Sequence, residues 1–139
     1  MKIIRVAHVA VAAEQLDAMK AVFGDLLQMP LLRERRFESG TEMAMYQAGN
    51  LHVEVLHNPS PTSLPGNHVH QKNGSGFFHI CLEVDDFDAA LAELTAKGVR
   101  LHPNSPRKGE SGGKVVFLDP TTTGGLLIEL AQADDAQAH

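Results

Sequence analysis

Phe77-Phe78-His79-Ile80-Cys81-Leu82-Glu83-Val84 is the stretch on which the fold turns. Its period of two puts Phe78, Ile80, Leu82 and Val84 on one side of a strand and His79, Cys81 and Glu83 on the other. The apolar row needs a helix to cover it, and one follows. Asp85 or Asp86 is placed to cap it, Phe87, Ala90, Leu91 and Leu94 form its apolar stripe, and Lys97-Gly98 ends it. Three extended pieces come next, Val99 to His102, Lys114 to Leu118 and Leu126 to Ala131. A glycine-rich loop from Lys108 to Gly113 and a turn from Asp119 to Gly125 separate them.

The same order stands earlier in the chain. A strand from Ile4 to Val11 precedes a predicted helix over Ala13 to Leu27, with Leu16, Met19, Phe23 and Leu26 at helical spacing and Pro30 at its exit. Leu31 to Phe37, Glu42 to Gln47 and Leu51 to His57 are then extended, the last two joined through Ala48-Gly49-Asn50. The segment from Asn58 to Ser75, rich in proline and glycine, reads as a connection between halves. The expected fold class is α+β, two repeated βαβββ modules forming a cup-shaped mixed sheet. One domain spans 1–139, made of module 1 (1–58), a linker (59–75) and module 2 (76–133).

The repeat carries chemistry as well as architecture. His8 lies on the first strand of one half and Glu54 on its last, 46 residues on; His79 and Glu129 stand 50 residues apart at the equivalent places of the other. Strand alternation turns His79 and Glu129 away from the apolar rows of their strands. In the first half Ala7, Val9 and Val11 are expected to pack while His8 turns away, and Val53 and Val55 while Glu54 turns away. A lone strand histidine is ordinarily a hydrogen-bonded core residue, and a lone strand glutamate is ordinarily solvated. Two of each, at repeated places among aliphatic neighbours, point instead to one metal site with ligands His8, Glu54, His79 and Glu129. Imidazole and carboxylate together suit Co²⁺, Zn²⁺, Ni²⁺, Mn²⁺ or Fe²⁺ better than Ca²⁺.

Other residues are weaker candidates. His52 shares the face of Glu54, whereas His57, His68, His70 and His102 sit in or beside loops and are left out of the ligand set. Glu42 shares a strand face with Ala44 and Tyr46, so it points into the cup if Met43 and Met45 pack under the helix. Cys81 shares the face of His79 but has no evident activating base, so it reads as a packing residue.

Composition bounds the remaining possibilities. A chain of 139 residues that is 43% hydrophobic has material for a packed core. A net charge of −5 with scattered Lys and Arg argues against nucleic-acid capture, and no apolar run approaches a membrane span. The single cysteine and the immediate strand after Met1 lead to the expectation of a soluble, cytoplasmic protein.

The residues from Gly74 to Asp86, from Leu91 to Leu101 and from Lys114 to Leu130 resemble the vicinal oxygen chelate superfamily, the glyoxalase and bleomycin-resistance type of fold. The likeness is nearest to its methylmalonyl-CoA epimerase family. It implies His8, His79 and Glu129 as metal ligands, with Glu54 at the remaining ligand position. It also implies Glu42 and Glu129 as the two catalytic carboxylates. Two bases on opposite sides of the carbon beside a thioester would take and return a proton, the enolate charge being stabilised by a divalent metal ion. An acyl-CoA thioester substrate and a homodimer are implied in the same way. The chain departs from the family at Phe78-His79, where paired histidines are usual, and at Gln28, where glycine is usual. The segment Ser63 to His70 also stands in place of a helix-forming one. Two alternatives stay open, an isomerase of the glyoxalase I type and a non-catalytic small-molecule-binding or resistance protein of the same fold. A dioxygenase of the superfamily normally needs one carboxylate and two histidines, so a fourth protein ligand argues against it.

Overall fold

The computed structural model describes residues 1–103, 107–108 and 113–133. Its contacts divide the chain into two units, Val9–Phe78 and a second made of Met1–His8 with His79–His139. The division does not follow the sequence repeat. The first half of strand β1 (Ile3–Ala12) belongs with the second module, and the start of β5 (Gly76–Val84) belongs with the first.

In the unit Val9–Phe78 the strand order is β2-β3-β4-β1, with β2 at Leu31–Arg36, β3 at Glu42–Ala48 and β4 at Leu51–His57. Strand β3 runs antiparallel to both β2 and β4, and its pairing with β4 sets Ala44 opposite Val55, Met45 opposite Glu54 and Glu42 opposite His57. The covering helix starts as α1 (Leu16–Lys20) and continues as a π-helical stretch, Ala21–Leu26. Leu16, Met19, Phe23 and Met29 pack on Ala13, Ala44, Tyr46 and Val55. Leu26, expected on that face, is 73% exposed. The wider turn, visible in the bond from the Leu27 amide to the Val22 carbonyl, shifts the register by one residue and brings Met29 inward instead. Gln28 then takes a φ of +55°, the left-handed conformation for which glycine is the usual solution.

The proline-rich connection is not irregular. Leu64–Lys72 forms α2, whose Ser63 side chain accepts a hydrogen bond from the Gly66 amide. Pro65 falls in the first turn, where its missing N–H costs nothing, and Asn73 closes the helix at φ +56°. Gly66 is required by space: a Cβ there would come within 1.9 Å of the Ser60 carbonyl oxygen and 2.6 Å of that of Asn58. Both obstacles are backbone, so Gly66→Ala is expected to lower stability by about 2–3 kcal/mol, a fall in melting temperature on the order of 8 °C by calorimetry. An unchanged melting temperature would mean this turn yields without strain.

In the other unit the order is β1-β5-β8-β7-β6, where β6 is Arg107–Lys108, β7 is Lys114–Phe117 and β8 is Ile128–Gln132. Strand β5 runs parallel to β8 while β7 runs antiparallel to it, so the sheet is mixed. Helix α3 (Phe87–Ala96) is capped by Asp86, which accepts from the Ala89 amide. Its core comprises Val84, Phe87, Ala90, Val116, Leu118 and Leu130, the side expected from alternation. Each of the Val, Leu and Phe side chains among them contributes about 1.5–3 kcal/mol by leaving water. The strand expected over Val99 to His102 is reduced to a single bridge, Leu101 to Leu118. The expected loop from Lys108 to Gly113 lies largely outside the described residues. No helix among the described residues is long and apolar enough to cross a membrane.

Candidate active site

Three of the repeated residues meet in one unit. Strands β5 and β8 set Cys81 opposite Glu129, which brings His79, two residues before Cys81 on the same face, to the Glu129 carboxylate. His8 completes the group from β1. Its Nε2 lies 3.1 Å from His79 Nε2 and 3.2 Å from Glu129 Oε1, and His79 Nε2 lies 3.6 Å from the same oxygen. All three residues are buried.

His8 does not reach this face by strict alternation. Ala7, expected to pack with the helix-facing row, clusters instead with Cys81, Val115 and Ala131, on the side of the sheet away from α3. Consecutive residues of β1 thus serve one face, an interruption of the two-residue period of the kind a β-bulge makes.

The rings are held in place by other rings. His79 stands edge-on to Phe117, centroids 5.0 Å apart, and edge-on to His8 at 5.3 Å. Burial by itself favours the neutral acid at Glu129. The hydrogen bonds from the imidazoles of His79 and His8 outweigh it and hold the carboxyl below the usual carboxylate range.

The donor set fits a divalent ion. Each residue offers one ligand atom, and the three lie within 4.8 Å of one another. Ligands at about 2.0–2.2 Å around one tetrahedral centre keep about 3.3 Å from each other, close to the separations found here. Nitrogen and carboxylate donors without thiolate select the borderline metals over Ca²⁺.

The two remaining predicted residues belong to the unit Val9–Phe78. Glu54 is buried on the side of its sheet opposite α1, in the row of Met43, Met45 and Leu56. Glu42 is on the other side. Ala44 and Tyr46, not the methionines, pack under the helix, so the condition for Glu42 to point into the cup fails. Its carboxylate is partly exposed and lies 3.7 Å from the guanidinium of Arg36. Cys81 is fully buried in the Ala7, Val115 and Ala131 cluster, as its reading as a packing residue requires.

One residue set aside in the sequence belongs near this site. His102 donates its amide to the Phe117 carbonyl, next to the aromatic ring that supports His79. The signal was present in the alternation of Val99 and Leu101 with Arg100 and His102.

The fold and this trio define a class. Residues 7–117 match the family model of the Glyoxalase/Bleomycin resistance protein/Dioxygenase superfamily, and the chain belongs to that superfamily. It is 34% identical over 134 residues to the mitochondrial methylmalonyl-CoA epimerase of Mus musculus, covering 95% of this chain and 75% of that one. It is 31% identical over 130 residues to the ethylmalonyl-CoA/methylmalonyl-CoA epimerase of Cereibacter sphaeroides, covering 92% and 97%. A solved methylmalonyl-CoA epimerase in complex with methylmalonyl-CoA and NH4+ superposes with a TM-score of 0.85 at 27% identity, over 96% of this chain and 97% of that one. Within the superfamily its family is that of the methylmalonyl-CoA epimerases, which are isomerases. The α+β class expected from the repeated modules is the class of these structures.

Proposed function

We propose that this protein interconverts the two epimers of methylmalonyl-CoA, or of a close 2-carboxyacyl-CoA, by removing and returning the proton on the carbon between thioester and carboxylate. The observation that carries the reading is a buried Glu129 carboxylate 3.2 Å from the imidazole of His8 and 3.6 Å from that of His79, in a chain whose relatives are epimerases of such thioesters.

His8, His79 and Glu129 would hold a divalent ion, and Glu54, a buried carboxylate on the side of its sheet away from α1, is proposed as the fourth ligand. Once bound, the ion supplies a Lewis acid that stabilises negative charge developing on the thioester oxygen. The chain's own groups do the rest. Glu129 offers a carboxylate to take the α-proton, and the Phe117 ring, buried beside His79, keeps water away from that carboxylate.

The test is a pair of assays on metal-supplemented protein, one with each epimer of methylmalonyl-CoA and one with methylglyoxal and glutathione. Epimerisation with no action on the hemithioacetal is expected, together with about one bound divalent ion per chain that Glu54→Ala holds more weakly. Turnover of the glutathione adduct instead would assign the glyoxalase reaction, and a chain that holds no ion after supplementation would leave only ligand binding.

A further inference from the structure

Two arginines of β2 lie on the face of the sheet that carries Glu54. Strand β2 sets Arg33 opposite Met45, Glu34 opposite Ala44 and Arg35 opposite Met43, and residues directly opposite share a side. Ala44 packs under α1, so Glu34 is on that side, where it pairs with Lys20 of the helix. Arg33 and Arg35 therefore project from the other side, with Met43, Met45 and Glu54.

The two arms diverge. Arg35 is exposed and its guanidinium lies over the Phe37 ring, 5.1 Å from the centroid. Arg33 is half-buried and bends inward, with a terminal nitrogen donating to the Met45 sulfur at 3.5 Å. Arg33, Met45 and Glu54 stand in one line across three strands, since Met45 is also opposite Glu54. Neighbouring strands are about 4.8 Å apart, which puts the backbones of Arg33 and Glu54 about 10 Å apart with Met45 between them. The guanidinium has thus crossed to the strand next to Glu54, onto a methionine that is itself fully buried.

A cation at this place answers a charge problem. Glu54 and Glu129 together cancel the charge of a divalent ion, and the chain as a whole stands at −5. A 2-carboxyacyl-CoA brings a further carboxylate to that centre, attached to the carbon that reacts. Nearby carboxylates disfavour its approach unless a positive group offsets them. Arginine suits the task, because its planar fork binds a carboxylate through two parallel hydrogen bonds and keeps its charge at any working pH. The buried Met43 and Met45 beside it lower the local polarity, which strengthens such a pair.

We infer that Arg33 recognises the free carboxylate of the 2-carboxyacyl group, and thereby selects malonyl-type thioesters over plain acyl thioesters. The inference rests on the epimerase reading and adds to it the residue that reads the substrate. From one row of one sheet, Glu54 would hold the ion and Arg33 the substrate's anion. The carboxylate is neither transferred nor cleaved, so Arg33 binds the ground state and the transition state alike.

The experiment compares wild type, Arg33→Met and Arg33→Lys, each supplied with Co²⁺ and checked for metal content and melting temperature, on two ligands that share the CoA moiety. One is methylmalonyl-CoA as substrate. The other is propionyl-CoA, which lacks the carboxylate, as inhibitor. Arg33→Met keeps an apolar stem on Met45 and removes the charge. It should raise KM for methylmalonyl-CoA on the order of 10- to 100-fold, with kcat within about threefold and inhibition by propionyl-CoA within about twofold of wild type. Arg33→Lys keeps the charge without the paired donors, so its KM should fall between the two, and it carries the test if Arg33→Met does not fold. A KM within about twofold of wild type in both variants would overturn the assignment. So would equal weakening of both ligands, which would place Arg33 at the phosphates of CoA, or loss of Co²⁺ from Arg33→Met, which would make Arg33 a support for Glu54. Wild-type protein that epimerises neither form brings down the epimerase reading itself, before any variant is compared.

Discussion

His79→Ala protein is expected to leave purification without its divalent ion and to epimerise at least about 1,000-fold more slowly than wild type. The size of the effect follows from how the residue is held. His79 is 2% exposed, and its ring is fixed edge-on by Phe117 and His8. Its Nε2 is one of the three ligand atoms that meet among the described residues of this unit, so removing it leaves His8 and Glu129, with Glu54 as the further ligand proposed above. A site that loses one of its two imidazoles holds a borderline metal poorly, and the loss is one of binding before it is one of rate. Elemental analysis reads the first and the epimerisation assay the second. Truncating a buried ring also opens a cavity, so His79→Gln is the companion variant: it fills most of the space but replaces the imidazole nitrogen with an amide. It should melt close to wild type and still lack the ion. Full metal content in both variants would remove His79 from the ligand set.

The second large effect concerns stability. Arg5→Met is expected to destabilise the fold by about 2 kcal/mol, a drop in melting temperature of roughly 7 °C. Arg5 grips Glu83 with two nitrogens, Nε to Oε1 at 2.7 Å and the second guanidinium nitrogen to Oε2 at 3.1 Å. Glu83 is 1% exposed, so removing the Arg5 guanidinium takes an opposite charge away from a buried carboxylate. Arg5 is partly exposed, and solvent screening there keeps the figure below the 3–5 kcal/mol typical of a fully buried pair. The pair pins β1 to β5 within the unit that holds His8 and His79, so turnover should suffer as well. The cycle is closed by Arg5→Met with Glu83→Leu, in which neither charge remains. That double variant should regain most of the lost stability, and failure to do so would mean that Glu83 is held by contacts other than Arg5.

How much of this was legible in the residues depends on where alternation carried information. On β5 and β8 one row is wholly apolar and the other carries His79, Glu83 and Glu129, so the faces could be told apart and the structure agrees. Strand β3 gave no such contrast. Met43, Ala44, Met45 and Tyr46 are all almost fully buried, and a strand buried on both sides has no period to read, so the side of Glu42 could not be derived from sequence. Ala7 and His8 share a face because β1 breaks its period between them, a local backbone event with no residue signature. Helix α2 was hidden by Pro65 and Gly66, breakers in most settings. Here Pro65 sits in the first turn and Gly66 where two carbonyl oxygens crowd its α-carbon. Alternation of Val99 and Leu101 with Arg100 and His102 hints at a strand, but His102 reads as a loop residue because its neighbour is fixed by register against Phe117, a long-range pairing that spacing alone does not contain.

The reaction proposed is proton removal beside a thioester, dependent on an ion held by His8, His79 and Glu129. Its most direct test is the α-proton signal of methylmalonyl-CoA in deuterated water, recorded with metal-stripped protein, with the same protein after addition of Co²⁺, and with His79→Gln under both conditions. Loss of the signal is predicted only for the wild-type protein with the ion restored. Equal exchange by stripped and reconstituted wild type, or exchange by His79→Gln at the wild-type rate, would contradict it.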